Sequence, residues 1–349
     1  MFLLFDFNWS VIFRAEIAFL FSLVVSLLCG GPLIKVLHKH QQQGQPIRED
    51  GPQSHLKTKK GTPTMGGLLI LGSSFLSILL FCNIKYHFVW VSLLILVMYG
   101  ATGFIDDYLK IKKQTSNAMT ARMKLFLQFL TALVAASIIT SATPRGINTM
   151  LTLPYLKQFF LNLSWLYIPF AVVVISGTSN AVNLSDGLDG LASGLLILAF
   201  GFFAVVAYYC GMNTAIQHHM LFIPRCGEIA VVCSSIVGSC LGFLYFNKPK
   251  ARVFMGDTGS LALGALLGAV AVMTKHEILL AIVGGVFVAE TLSVMIQVVY
   301  FKKTGKRFFK MAPIHHHFEQ LGWSEKKVVL SFWLTAFVLT LAGSLLFVL

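Results

Sequence analysis

A polar stretch at residues 177–190 carries the side chains best suited to chemistry in this chain. It follows the apolar run 169–175 and reads Gly-Thr-Ser-Asn-Ala-Val-Asn-Leu-Ser-Asp-Gly-Leu-Asp-Gly. Asn180, Asn183 and Asp186 are three apart, as are Asp186 and Asp189, so the first three share one face if the helix continues. Such a face suits a sugar, a phosphate or a hydrated metal ion. The alternative is a polar helix end that only meets water, but two Asn and two Asp exceed what a cap requires.

Two adjacent carboxylates, Asp106 and Asp107, stand where another apolar run ends. Carboxylates at a membrane helix end are costly unless they are solvated, paired or bound to a cation. Adjacent positions point about 100° apart on a helix, so one ion need not take both. Lys110 follows three or four positions later and can neutralise either Asp or bind phosphate. Lys124 opens the next apolar run at the same membrane level.

A third polar segment, 247–260, reads Asn-Lys-Pro-Lys-Ala-Arg-Val-Phe-Met-Gly-Asp-Thr-Gly-Ser. Three cations, Asn247 and Asp257 with a glycine on either side are typical of a loop that binds phosphate and metal, and Phe254 lies within it. Glu290 lies deep in a later apolar run, where a carboxylate should face the bundle interior. We favour a packing role over a catalytic one for Glu290.

The fourth polar segment, 312–319, reads Ala-Pro-Ile-His-His-His-Phe-Glu. Three consecutive histidines suggest a metal, but adjacent residues rarely point at one ion and no second cluster matches them. We therefore interpret His315, His316 and His317 as hydrogen-bonding groups for phosphate or sugar oxygens.

The elements that must position these residues are membrane helices. The chain has 349 residues, 56% of them hydrophobic and only 12% charged, with a mean hydropathy of +0.77. Apolar runs of roughly 20 residues, the length that crosses a bilayer core, recur throughout. We expect one all-α polytopic membrane domain over 1–349 with ten spans, at about 15–37, 62–82, 87–107, 121–142, 165–183, 188–209, 226–246, 258–275, 277–301 and 327–348.

The placement of the net charge of +13 excludes nucleic acid as the partner. The linkers on one side of the predicted spans hold 21 of the 27 Lys and Arg residues. By the positive-inside rule that side is cytoplasmic, and both termini lie outside. Anionic lipid headgroups or a phosphorylated cytosolic substrate suit this charge. The expected cytoplasmic loops are about 38–61, 106–122, 183–190, 247–258 and 302–326.

Five aspartates gather at the predicted cytoplasmic span ends, namely Asp106, Asp107, Asp186, Asp189 and Asp257. Such carboxylates favour Mg²⁺, which proteins hold with one or two carboxylates plus substrate phosphates. Phosphoryl transfer depends mainly on positioning and charge neutralisation. The sequence has no Walker loop, which argues against an ATPase.

These motifs, in this order, resemble those of the bacterial phospho-N-acetylmuramoyl-pentapeptide-transferase family. That family belongs to the polyprenyl-phosphate N-acetylhexosamine-1-phosphate transferases. The similarity covers essentially the whole chain, including ten spans. Three motifs mark the superfamily and the histidine segment marks the family: 106–108, 180–190, 254–260 and 312–319. Ser185 is a small departure, because Thr is more usual there; both residues keep the hydroxyl.

The resemblance implies a Mg²⁺-dependent reaction at the cytoplasmic face of the bacterial inner membrane. UDP-N-acetylmuramoyl-pentapeptide and undecaprenyl phosphate would give lipid I and UMP, the first membrane step of peptidoglycan synthesis. Asp257, with Asn183, would hold the magnesium. Asp106 and Asp107 would activate the lipid phosphate or assist the metal, and His315 would complete the catalytic set. The substrate-binding residues would be Lys110, Lys124, Asn180, Asn183, Asp186, Asp189, Asn247, Phe254, His316 and His317. Homodimer formation is left open.

Two other functions stay open on the sequence alone. A sister transferase would pass N-acetylglucosamine 1-phosphate to the same lipid, and it predicts a different histidine segment. A secondary transporter would use intramembrane carboxylates, and it predicts charges near the membrane midplane and a repeat between halves. Here the carboxylates gather at one membrane face, Glu290 excepted, and the sequence has no such repeat.

Overall fold

The computed structural model describes residues 10–41, 44, 61–115, 118–153, 160–212, 215 and 221–348. Within these residues the chain is a bundle of α-helices with one small β-hairpin. The helices are α1 Val11–His40, α2 Gly67–Phe81, α3 His87–Lys113, α4 Ala121–Ala142, α5 Tyr167–Ser185, α6 Leu191–Cys210, α7 Gly227–Asn247, α8 Gly256–Thr274, α9 Glu277–Val283, α10 Gly285–Thr304, α11 Ile314–Gln320 and α12 Glu325–Val348. The hairpin pairs β1 Met150–Thr152 with β2 Phe160–Asn162 in antiparallel register, and a 3₁₀ turn, Ser164–Leu166, precedes α5.

The expected all-α polytopic membrane fold is confirmed. Nine helices in the described part of the chain are long and apolar enough to cross a membrane. The helix α2 is shorter, because 15 residues rise only about 22 Å against a hydrocarbon core of about 30 Å. Residues 62–66, which we expected in that span, form a non-helical loop instead. They bond to the loop before α8, with the Gly66 N–H donating to the Phe254 carbonyl at 2.8 Å.

The expected continuous span at 277–301 is wrong. The chain forms two helices there, α9 and α10, which meet at Gly284. The Gly284 N–H still donates to the Leu280 carbonyl, at 2.7 Å, but its backbone angles leave the helical region. Adjacent glycines at 284 and 285 lower the cost of this break. Most of the surface of α10, after this break, is exposed.

The helix α8 forms the centre of the bundle and is buried on nearly all sides. Small residues let other helices approach its backbone closely. A Cβ at Gly264 would lie 2.7 Å from the Cα of Ser179, and a Cβ at Gly268 would lie 2.9 Å from the Cα of Ile175. The helix α5 therefore packs against α8 along its length, and the first turn of α8 is fixed relative to the end of α5.

The start of α1 and the end of α12 lie at the same end of the bundle. Val11 contacts the position of Gly227 at the start of α7, and Phe347 lies against His276, with ring centroids 5.4 Å apart. His276 follows the last turn of α8, whereas Asp257 lies in its first turn. The β-hairpin lies at the same end, where the buried Lys275 donates to the Asn148 carbonyl at 2.7 Å.

The loops at the Asp257 end are shorter than expected. The helix α3 continues to Lys113, so the first part of the loop expected at 106–122 is helical. Its last turn carries three lysines, which suit a helix C-terminus. The loop expected at 302–326 contains the two-turn helix α11. Most of the loop expected at 38–61 lies outside the described residues.

Candidate active site

Acidic and basic side chains from three helices meet at one end of the bundle. Lys110 in α3 places its Nζ 2.8 Å from Asp106 Oδ2 and 3.0 Å from Asp257 Oδ2 in α8. Lys124, in the first turn of α4, also contacts Asp257 Oδ2 and lies 3.3 Å from Asp106 Oδ2. The Met119 N–H donates to Asp106 Oδ1 at 3.1 Å, which fixes the start of α4 beside this group. The helix ends therefore converge, as a shared site requires.

The helix α5 contributes amides to the same site. Asn183 donates from Nδ2 to Asp257 Oδ1 at 2.8 Å and to Ser260 Oγ at 2.9 Å. Asn180, one turn deeper, donates to Gln128 Oε1 at 2.7 Å. Asn183 thus belongs to the Asp257 cluster, while Asn180 connects α5 to α4 beneath it.

Asp107 has a different environment from Asp106. Its carboxylate is fully buried and accepts from the backbone N–H groups of Asp257, at 3.2 Å, and Thr258, at 3.0 Å. The Thr258 hydroxyl donates to it as well, at 2.8 Å. These N–H groups belong to the first turn of α8, which lacks a side-chain cap of its own. Asp107 therefore caps α8 from a neighbouring helix and fixes the backbone that carries Asp257.

The helices α3 and α8 pack closely enough for the Asp107 side chain to reach the first turn of α8. A Cβ at Gly103, one turn before Asp107, would lie 2.1 Å from the Asp257 carbonyl oxygen. Only glycine permits the two backbones to approach this closely. Gly256 has a φ of +73°, which glycine adopts without steric cost, and a Cβ there would lie 2.5 Å from Asp107 Oδ2.

The polar stretch 177–190 does not form one continuous face. The helix α5 ends at Ser185, and the ψ of 47° at Asp186 takes the following residues out of the helix, so Asp189 does not share a helix face with Asn180 and Asn183. The following turn bonds to other parts of the chain. Asp189 accepts from the Ala251 N–H at 3.0 Å, and its own N–H donates to Glu325 Oε1 at 2.8 Å.

Asn247 and Phe254 hold the segment between α7 and α8 in place. The Asn247 side chain donates to the Val253 carbonyl at 2.9 Å and accepts from the Gly190 N–H at 3.0 Å. Both ends of this amide are thus used within the protein, and Asn247 is buried. Phe254 is bonded through its backbone to the loop before α2, with its N–H donating to the Pro63 carbonyl at 2.9 Å. Their predicted contacts with substrate stay predictions.

The three histidines differ in their surroundings. His315 is fully buried, and its Nδ1 lies 3.0 Å from Glu290 Oε2 in α10. His316 Nδ1 lies 2.7 Å from Glu319 Oε2 one turn later. His317 Nδ1 accepts from the Lys310 N–H at 3.2 Å. The prediction that Glu290 faces the bundle interior is confirmed.

Sequence reasoning missed several residues that support the site. Gln128 follows Lys124 by four positions, so a polar residue on the same face of an apolar helix was a usable signal. Ser260 follows Asp257 by three positions, which is a comparable signal. Glu325 gave no such signal, because its contact with the Asp189 N–H joins positions far apart in the chain.

The oxygen groups at this end of the bundle fit Mg²⁺ bound together with a phosphorylated substrate. The described residues contain no cluster of three or more His, Cys, Asp or Glu side chains that could hold a metal alone. However, Mg²⁺ commonly takes one or two carboxylates and completes its shell with water and phosphate. Lys110 and Lys124 already lie against Asp106 and Asp257. Substrate phosphates would add negative charge, which a divalent cation at Asp257 and Asn183 would offset.

Comparison with known proteins first gives the class. The model of Glycosyl transferase family 4 matches residues 89–275, from α3 to the end of α8. A polytopic helical bundle of this family, with its charged groups at one end, is a membrane-embedded transferase. Residues 59–71 match the Phospho-N-acetylmuramoyl-pentapeptide-transferase signature 1.

A relative then gives the particular family. A phospho-N-acetylmuramoyl-pentapeptide-transferase from Granulibacter bethesdensis is 50% identical over 343 residues, which cover 98% of this chain and 95% of the relative. The chain belongs to the phospho-N-acetylmuramoyl-pentapeptide-transferase family.

Proposed function

We propose that this protein transfers phospho-N-acetylmuramoyl-pentapeptide from its UDP derivative to undecaprenyl phosphate, giving lipid I and UMP. The observation that carries the proposal is the Asp106, Lys110, Lys124, Asn183 and Asp257 cluster at one end of the bundle. The family membership and the near full-length relative support it. One end of a membrane bundle is where a water-soluble nucleotide sugar and a lipid phosphate can meet.

The reaction conserves the number of phosphoanhydride bonds. A phosphate oxygen of the lipid attacks the phosphorus that bears the sugar, and the bond from that phosphorus to the UMP oxygen breaks. One diphosphate is lost as another forms, so no external energy source is needed. Catalysis then consists of bringing two negatively charged groups together and stabilising the charge on the departing UMP.

The position of each side chain indicates the part of this reaction that it supports. Lys110 and Lys124 are partly accessible, at 14% and 18% exposure, and are placed to bind phosphate. Asp106 is the carboxylate best placed to act on the lipid phosphate, since Asp107 is occupied by backbone N–H groups. Asp257 and Asn183 would hold Mg²⁺, which supplies charge neutralisation for the phosphates when bound. Asp107 positions Asp257.

The membrane and its orientation form the second part of the proposal. We place the site at the cytoplasmic face of the bacterial inner membrane, because the loops at that end hold most of the Lys and Arg residues. The UDP-linked substrate is cytosolic, which requires the same orientation.

Substrate choice tests the proposal against the sister transferase. Purified protein with undecaprenyl phosphate and Mg²⁺ is given UDP-N-acetylmuramoyl-pentapeptide or UDP-N-acetylglucosamine, and UMP release is measured. We expect the muramoyl-pentapeptide nucleotide to be used far better, because the 312–319 segment is the family-specific motif. Equal rates with both nucleotide sugars would contradict the assignment. UMP release that does not depend on undecaprenyl phosphate would exclude the transfer reaction.

A further inference from the structure

A buried pair, Glu290 and His315, joins the histidine helix α11 to the interior of the bundle. Both side chains are completely inaccessible, and His315 Nδ1 lies 3.0 Å from Glu290 Oε2. Neither Glu290 Oε1 nor His315 Nε2 has a hydrogen-bond partner among the residues that the structure describes. A carboxylate accepts hydrogen bonds, so the pair has Nδ1–H as donor, and in the neutral ring Nε2 is left as an acceptor.

The far edge of the His315 ring is packed against the turn that follows α5. A Cβ added at Gly187 would lie 2.3 Å from His315 Nε2 and 2.8 Å from Cε1. Gly187 does not lie in the left-handed backbone region, so its backbone alone would accept alanine. The absence of a side chain at position 187 therefore serves the contact with His315. This contact joins α11 to the stretch that carries Asn183 and Asp189.

The helix α10 holds the segment before α11 at a second point on the same side. Gln297 is seven residues after Glu290, which places both on one side of the helix. Its Oε1 accepts from the N–H groups of Phe308, at 3.2 Å, and Phe309, at 2.9 Å. The segment from 305 to α11 is thus attached to α10 at both Gln297 and Glu290, while α11 itself has only seven residues.

We propose that Glu290 and His315 are positioning residues, and that their buried hydrogen bond fixes α11 against Gly187. This placement presents the remaining polar groups of α11, His316 among them, to the nucleotide-sugar. The inference rests on the proposed function for its kinetic consequences. It differs from the catalytic role that the resemblance implies for His315, because its ring is enclosed between Glu290 and Gly187.

Two substitutions at His315 separate the roles of its nitrogens. His315→Asn keeps an N–H near the position of Nδ1, whereas His315→Gln keeps a polar group near the position of Nε2. We expect His315→Asn to retain most of its turnover. His315→Gln and Glu290→Ala should raise KM for the nucleotide sugar about tenfold or more, the size expected when a charge-assisted hydrogen bond is lost. The KM for undecaprenyl phosphate should not change. If His315→Gln is active and His315→Asn is inactive, Nε2 acts directly and the proposal is overturned.

Substitution at Gly187 provides an independent test. Gly187→Ala places a methyl group on the His315 ring, so it should raise the nucleotide-sugar KM as Glu290→Ala does. Asn is shorter than His and lacks atoms at the Nε2 and Cε1 positions. Gly187→Ala with His315→Asn should therefore recover what Gly187→Ala alone loses, a coupling that independent sites do not show. Gly201→Ala is the matched control, because a Cβ there meets nothing within 4 Å. A double variant no better than Gly187→Ala alone would contradict the proposal.

A measurement without substrate separates this proposal from the proposed function. Hydrogen–deuterium exchange of the full-length protein reports on the backbone of residues 310–321. We expect faster exchange there in Glu290→Ala and Gly187→Ala, and exchange like that of the parent protein in His315→Asn and Gly201→Ala. Unchanged exchange in Glu290→Ala would overturn the positioning role whichever nucleotide sugar the enzyme uses. A parent protein that releases no UMP would overturn the proposed function alone.

Discussion

Two adjacent aspartates, Asp106 and Asp107, show how much of a site can be predicted from residue type and spacing. The sequence places Asp106 and Asp107 at a helix end and predicts that their side chains diverge by about 100°. The structure agrees, with Asp106 beside two lysines and Asp107 in contact with the backbone of α8. Which aspartate takes which direction depends on the side of α3 that packs against α8. Spacing alone carries no information on that choice.

The same limit applies to His315. Three consecutive histidines predict hydrogen bonds to oxygen atoms, and His315 does lie against a carboxylate oxygen. That oxygen belongs to Glu290, and the predicted contacts of the histidines with substrate oxygens stay predictions. Glu290 was identified as facing the interior, but its partner is 25 positions away and reached through a separate helix.

Magnesium titrations separate Asp257 from Asp106. Asp257 contacts both lysines and Asn183, so Asp257→Asn should remove the anionic group that holds the metal and abolish metal-dependent activity. Asp106→Asn should bind nucleotide and magnesium but turn over little, with a loss on the order of 100-fold or more. UMP release is followed across magnesium concentrations, together with the magnesium-dependent change in melting temperature. Near-normal turnover in Asp257→Asn would show that Asp257 does not hold a metal that the reaction needs.

At the scale of elements, the apolar runs predict where helices lie better than where they end or break. Ten runs were expected to span, and nine long helices plus the shorter α2 fill those positions. The break at Gly284 was missed, because two glycines in an apolar run are common in membrane helices. The extension of α3 to Lys113 was missed, because charged residues were interpreted as loop. Lys110 in that last turn contacts Asp257 in α8, and the local sequence does not encode this contact.

The junction between α3 and α8 gives a prediction at this scale. Gly103→Ala would place a Cβ 2.1 Å from the Asp257 carbonyl, and backbone cannot move aside as a flexible side chain can. The two helices must separate, which moves Asp257 relative to Lys110. A displacement of about 1 Å can cost on the order of 100-fold in rate, so we expect turnover to fall by that amount.

Gly72→Ala in α2 is the matched control for that change, because a Cβ at Gly72 meets nothing within 4 Å. It should keep normal turnover and gain roughly 0.5–1 kcal/mol in the free energy of unfolding, since alanine favours helix more than glycine does. Turnover of the purified variants and their melting temperatures are compared. Equal activity in Gly103→Ala and Gly72→Ala would show that close approach of α3 and α8 is not needed.

At the scale of the whole molecule, the alternation of helices brings distant motifs together. The long helices reverse direction from one to the next, with α9 and α10 together making one pass, so every second connection returns to the same end of the bundle. The sequence predicts this from the number of spans and the basic residues. It therefore predicts that Asp106, Asn183 and Asp257 share a membrane level. It does not predict that α3, α5 and α8 are the helices that contact one another, since that depends on packing around α8.

The orientation of the bundle in the membrane can be tested by thiol labelling in intact cells. The basic loops predict that the end with Lys113 and Gln320 is cytoplasmic, and both residues are exposed. Arg145 is exposed at the other end, between α4 and β1. Cys29 is the one exposed cysteine, so Cys29→Ser removes background, while the other five are buried. In that background, an impermeant thiol reagent should label Arg145→Cys in intact cells. It should label Lys113→Cys and Gln320→Cys only after the cells are opened, because the membrane blocks its entry.

Labelling of Lys113→Cys and Gln320→Cys in intact cells, with Arg145→Cys protected, would show that the bundle has the opposite orientation. It would also place the Asp257 site on the side of the membrane opposite to a cytosolic nucleotide sugar.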